Sequence, residues 1–231
     1  MKSFKYFFIF ISLFGALAPS LRAMNQDTKE VNKSKVDEKT SVLSFKAIKK
    51  RLAAIDCQGW HFSLQKTKFK KIKNNRIRKT INIWFIDMSD KQKVHKVHIG
   101  FITYIVPTKP KDDNGETLHI VMGFIKIFKE DYKRIKLGTL ITLAALQDAL
   151  HTSNDHQYAY AEAINPASNG LFKDKLKFEK SEEFPKCEKL STEKLPEIMK
   201  TYGPKLLEEA FKTLEEAFKT PKDTAKSIQD Q

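Results

Sequence analysis

The stretch Phe128-Lys129-Glu130-Asp131-Tyr132-Lys133-Arg134-Ile135-Lys136-Leu137-Gly138-Thr139 sets cations and one glycine directly before a segment, Leu140 to Leu150, that is apolar nearly all round. A strand end, a basic turn and the first turn of a buried helix together make an anion site, because the helix N-terminus presents unpaired N–H groups and the positive end of its dipole. Phosphate is the chemistry such a junction serves. A second basic stretch, Lys66 to Lys79 (K-T-K-F-K-K-I-K-N-N-R-I-R-K), has Phe69 within it and Trp60 nearby. It could meet nucleic-acid phosphates, but no nucleic-acid motif accompanies it and it reads first as a solvated hairpin. The two cysteines, Cys57 and Cys187, lack C-x-x-C spacing, which argues against a zinc site or a dithiol redox pair and leaves one disulfide open. No metal site is expected.

The basic junction resembles the pattern V-x-P-x-Y-R-G-x-G-I-G-T of the GCN5-related N-acetyltransferases, in which the loop grips the coenzyme A pyrophosphate. Tyr132, Lys133, Leu137, Gly138 and Thr139 fall in register with it. Further on, Asn165-Pro166-Ala167-Ser168-Asn169-Gly170-Leu171-Phe172 resembles the family's N-x-x-A-x-x-L-Y, and Leu176-Lys177-Phe178-Glu179 its L-G-F-E. Over roughly residues 79–179 the chain is thereby identified as a divergent member of that superfamily.

The resemblance implies an α/β (α+β) domain: a mixed, mostly antiparallel twisted sheet with flanking helices. It implies acetyl transfer from acetyl-CoA to an amine, in a monomer or homodimer. Cofactor contacts are expected from Ile127, Phe128 and Lys129 at the strand end, from Lys133, Arg134, Lys136, Leu137, Gly138 and Thr139 in the loop, and from Asn165 and Phe172 downstream. Arg134 and Lys136 replace two family glycines, exchanging close backbone approach for side-chain charge. Phe172 stands where relatives carry the tyrosine that protonates the departing thiolate, so Tyr158 or Tyr160 would have to substitute. His119 and Glu162 are the candidates for taking the amine's proton. The alternative is a catalytically inactive, exported binding module on the same fold, recognising an anionic or protein partner.

The elements that must position these groups can be read from periodicity. Leu43, Ala47, Ile48, Leu52 and Ile55 form a helical stripe with Ser44 as N-cap and Gly59 after it. Four strand-like runs follow, at Trp60–Lys70, Thr80–Met88, Lys93–Val106 and Thr117–Phe128, arranged as an antiparallel meander. Pro107 to Glu116, with two prolines and an Asn-Gly pair, is a longer exposed loop. His156 to Ile164 alternates as a fifth strand, and a short helix runs from Ala167 or Ser168 to about Leu176. The stripe Leu207, Phe211, Leu214 and Phe218 predicts a helix from near Pro204 to Pro221.

Lys2 and Lys5, the uncharged run Tyr6 to Leu17, and Ala16-Leu17-Ala18 have the three-part form of a secretory signal over residues 1–23. Residues 24–40 are polar, with hardly an apolar anchor, and read as a disordered linker. The globular domain is placed at residues 41–185, and a C-terminal helical extension with a disordered tail at 186–231. The expectation is an exported protein, periplasmic or secreted, touching membrane only through its signal. Because acetyl-CoA is cytosolic, delivery into another cell would reconcile export with transfer. The net charge of +14 attracts anions of many kinds and names none of them.

Overall fold

The computed structural model describes residues 43–55, 57, 59–67, 70–72, 75–87, 94–128, 130–152, 158–162 and 166–219, all inside one compact unit, Val36–Gln231. The expected signal and linker, Lys129, Asn165, and the residues after Lys219 lie outside them.

Alternation in R-I-R-K-T-I-N-I-W-F-I-D shapes β3 (Arg76–Asp87), second from the edge of the sheet: Ile81, Ile83 and Phe85 are buried on one side, whereas Arg78, Thr80, Asn82 and Trp84 stay half-buried on the other. β1 (Trp60–Lys66) and the short β2 (Lys70–Ile72) pair with it antiparallel on one edge, and β4 (Lys96–Pro107) on the other. β5 (Ile120–Ile127) completes the antiparallel meander. The chain then crosses through a one-turn helix α2 (Glu130–Lys133) and the long α3 (Leu137–Thr152) to β6 (Tyr158–Ala161), which runs parallel to β5. β7 (Glu179–Lys180) and β8 (Glu188–Ser191) finish the sheet, in the order β1-β3-β4-β5-β6-β8-β7. This is the mixed, mostly antiparallel sheet with flanking helices that the resemblance implied. β8 lies past the domain boundary drawn at residue 185 and is inserted beside β6, so the sheet takes up part of the segment read as an extension.

One face of the sheet is covered. α3 contributes Leu140, Ile141, Leu143, Ala144, Leu146 and Ala149, all buried, because a helix apolar on every side can only sit inside a core. α1 (Phe45–Ala53) starts where the Ser44 hydroxyl accepts the Ala47 N–H at 3.2 Å, and buries Ile48 and Leu52. α5 (Leu195–Lys219) closes the layer with Leu207, Phe211 and Leu214. It begins well before Pro204, where the proline had suggested a start. Leu195 and Met199 extend the buried stripe upstream, so the helix carries through Pro204 although that residue lacks a backbone N–H. Leu43 also fixes this turn, since a Cβ on Gly203 would sit 2.4 Å from its Cδ1.

Cys57 and Cys187 are both free and buried. Cys57 bridges to β1 at one edge and Cys187 immediately precedes β8, five strand spacings away, a separation of about 24 Å at ~4.8 Å per spacing. No disulfide spans that distance.

Candidate functional site

β5 and β6 pair only at Ile120–Ala159, Val121–Tyr160 and Met122–Ala161. Beyond Met122, β5 continues to Ile127 against β4, while β6 has ended at Ala161, so among the described residues the far half of β5 has no strand on its other side and the sheet opens there as a wedge. The divergence follows a bulge: between Ile102–Ile125 and Tyr104–Met122 the two residues Gly123 and Phe124 face the single Thr103. Gly123 is required there, because a Cβ would lie 2.7 Å from the Thr103 carbonyl oxygen, and the Phe124 N–H donates to Thr103 Oγ1 at 3.2 Å. The isolated glycine inside a strand pattern was the available sign of this bulge, and the sequence reading passed over it.

Along the wedge, Phe128 donates its N–H to the Ile99 carbonyl at 2.8 Å, so that amide is committed to the sheet. By strand alternation the N–H groups of Ile125 and Ile127 then point the other way, to the open edge. Of the strand-end residues expected to meet cofactor, Ile127 is thus aimed into the wedge through its backbone, and Phe128 offers only its half-exposed ring.

The chain reaches α3 through a turn at Arg134–Lys136, and Lys136 adopts φ 64°. This is the left-handed bend that a glycine takes without strain, kept here by a lysine at a position where the family pattern has glycine. Arg134 and Lys136 are exposed, and Lys133 pairs with Glu130 at the surface. The first-turn amides of α3 lack intrahelical acceptors, as in any helix, until Leu140 donates to Lys136 at 3.2 Å. The space above Gly138 is open: an added Cβ would meet only an Ile125 methyl, at 3.9 Å. Leu137 is buried beneath, and Thr139 lies half-buried on the first turn. The residues therefore form the strand, turn and helix N-terminus that can receive a pyrophosphate, beside the wedge.

The three candidate acid–base residues are not brought together. Glu162 is exposed and directly follows the end of β6, at the mouth of the wedge. His119 sits level with Tyr158 at the closed end, about 13 Å further along the strands at ~3.3 Å per residue. There its ring packs against Tyr158 and Tyr160 at centroid distances of 5.9 and 5.2 Å. Tyr160 donates its hydroxyl to Glu183 at 3.1 Å. Burial, with the neighbouring carboxylate of Glu183, raises its pKa well above that of an ordinary phenol, so it stays protonated. Phe172 is buried and packs edge-on to Phe178 at 5.2 Å in a π-helical turn (Gly170–Lys175) that follows α4 (Pro166–Asn169).

A buried ionic cluster lies on the covered face, away from the wedge. Asp148 of α3, its side chain 10% exposed, accepts from Lys66, from Lys79 at 2.8 Å and from the Tyr104 hydroxyl at 2.7 Å. Burial alone would raise its carboxyl, but these donors outweigh burial together and hold it below the usual carboxylate value.

No family model matches the chain, and no curated protein matches it. Solved structures do. A KacTA–DNA complex is 10% identical, with 56% of this chain and 76% of that one covered, at a TM-score of 0.40. A tyrosine-to-phenylalanine variant of the AtaT toxin, bound to the C-terminus of the antitoxin AtaR, is 12% identical over 52% and 72% of the two chains at 0.37. A corresponding variant of KacT is 11% identical over 52% and 75%, also at 0.37. Likeness at these identities and scores reaches the general arrangement of strands and helices and no further. The identification as a divergent GCN5-related N-acetyltransferase, made on motifs, is corrected accordingly: no family model recovers it, and the motif matches at Tyr132–Thr139 and Asn165–Phe172 do not amount to membership. What stands is a mixed, mostly antiparallel α/β fold, with an opened sheet beside a helix N-terminus.

Proposed function

We propose that the domain transfers an acyl group from a coenzyme A thioester, with acetyl-CoA as the donor, to an amine. The observation that carries this reading is the wedge past Met122–Ala161, opening directly beside the left-handed turn and first helical turn at Arg134–Thr139. The phosphates are held by the amides of Leu137, Gly138 and Thr139 and by the Arg134 and Lys136 cations, with Lys133 joining if it leaves Glu130. The arm of the donor pairs with the strand edge at Ile125 and Ile127. The thioester supplies an activated acyl carbon. Glu162 receives the amine's proton through water, the amine nitrogen bonds to the acyl carbon, and the carbon–sulfur bond breaks. The thiolate takes its proton from solvent at the exposed mouth, since Phe172 carries no hydroxyl and is packed in the core.

Isothermal titration with acetyl-CoA tests the reading. Binding is expected, abolished by Gly138→Trp and weakened by Gly138→Ala, whose methyl fits the protein but occupies the space a phosphate needs. Absence of heat at millimolar acetyl-CoA overturns it. The buried Phe172 and the committed Phe128 amide favour a second reading, a silent binding module for an anionic or protein partner, which predicts no acyl transfer. Export under residues 1–23, with delivery into another cell's cytosol, is part of the proposal and gives an acyltransferase access to its donor.

A further inference from the structure

The face of the sheet opposite α1, α3 and α5 carries a different kind of surface. β1, β2 and β3 follow one another within residues 60–87, and α1 packs with α3 on the covered side. Pointing outward instead is a connected row of rings. Trp84 stacks on His98 at 4.5 Å, His98 meets Phe128 at 4.9 Å, and Phe101 meets both Phe128 at 5.7 Å and Phe124 at 6.1 Å. A bulge at Ile99 turns both His98 and Phe101 to this side. Phe124 and Phe128 are 43% and 41% exposed, unusual for phenylalanine on a strand.

Over β2 to β5, the charge that the described residues present on this face has one sign. Lys126 lies over the Phe128 ring at 5.3 Å, and Lys70 and Arg78 stand opposite each other in the β2–β3 pairing. Among the described residues no carboxylate points outward from β3, β4 or the second half of β5 on this face; Asp112 and Glu116 lie only at the Arg76 edge. An apolar helix would be matched by aliphatic side chains and would desolvate these cations without pairing them. Flat rings between cations match a polyanion whose own flat groups can stack on them.

We propose that this face, which no described helix covers, binds single-stranded nucleic acid, with bases stacked on Phe124, Phe101 and Trp84 and phosphates drawn to Lys126, Arg78 and Lys70. A duplex, whose bases are already stacked, cannot use the rings. The inference does not depend on the acyl-transfer reading, because none of these six residues is assigned to the thioester.

Fluorescence anisotropy of the full chain with labelled oligo-dT and oligo-U of about a dozen nucleotides, and with a duplex of equal length, tests it. Both single strands are expected to bind, the duplex at least tenfold more weakly. If only one sugar type binds, that arm names the source. Phe101→Ala with Phe124→Ala is expected to weaken binding at least tenfold while the protein stays folded at the assay temperature, and Lys200→Glu with Lys205→Glu on α5 leaves binding within twofold. Equal loss from the α5 charge reversals, or no anisotropy change with any oligonucleotide, overturns the proposal. So does sedimentation showing a dimer that Phe124→Glu dissociates in a protein that binds no oligonucleotide, since the face would then cover a second copy.

Discussion

The two faces of one sheet are built from the same strands and have opposite chemistry. Toward α1, α3 and α5 the strands present Ile81, Ile83, Ile102 and Tyr104, none with any exposed surface. Toward the other side, positions offset by a single residue present Arg78, Asn82, Trp84 and Phe101, all half-exposed. Period-two alternation makes this possible: the covered side takes fully buried side chains, aliphatic and aromatic alike, with one ion-paired cluster at its rim, and the open side takes partly exposed aromatic and polar ones.

The most direct way to break the comparison is to truncate neighbours on opposite faces. Ile102→Ala is expected to cost about 2–5 kcal/mol in urea denaturation, and Phe101→Ala under about 1.5 kcal/mol. Equal costs would mean the open face is a second core. Asp148→Asn probes the ionic rim of the covered face and is expected to cost about 2–3 kcal/mol, by leaving Lys79 and Lys66 without their carboxylate. The pH dependence carries the sign. A carboxyl depressed in the folded state stabilises above its unfolded value, near pH 4, and that contribution is lost as pH falls toward the folded value. Wild type should therefore lose stability on acidification, and Asp148→Asn should lose less, as read by melting temperature from pH 6 to pH 2.5.

Phe172→Tyr asks which region that ring belongs to. A hydroxyl forced into the covered core is expected to cost about 1–2 kcal/mol with no gain in acetyl transfer. An unchanged melting temperature with faster transfer would move Phe172 to the wedge. The smallest effect is expected at the rim of the helical layer. Arg51 is held by Glu208, with one nitrogen–oxygen distance of 2.9 Å, and lies 4.0 Å over Phe211. Both groups are substantially solvated, so Glu208→Gln is expected to change stability by under about 1 kcal/mol, and by less at high salt.

Local rules carried much of this from the residues alone. The Ser44 cap, the buried α3 and the junction before Gly138 follow from spacing within one or two turns. Features that depend on distant partners did not. Asp148 looks like an ordinary polar residue in its own helix, and only the fold brings Lys66, Lys79 and Tyr104 to it. The early start of α5 was hidden by Pro204, because the rule against proline inside helices does not register the buried stripe that carries the helix through it. The left-handed Lys136 was masked by its own identity, since a lysine does not announce positive φ as a glycine does. The separation of Glu162 from His119 required the register of a parallel pair, which no local pattern encodes.

The placement of the two thiols has one more consequence. Burial, with the Glu162 and Glu188 carboxylates beside it, pushes the Cys187 thiol up to about 11, so at neutral pH only about one molecule in ten thousand carries the reactive anion there. With Cys57 equally enclosed on the far edge, neither thiol is placed to form a disulfide with the other.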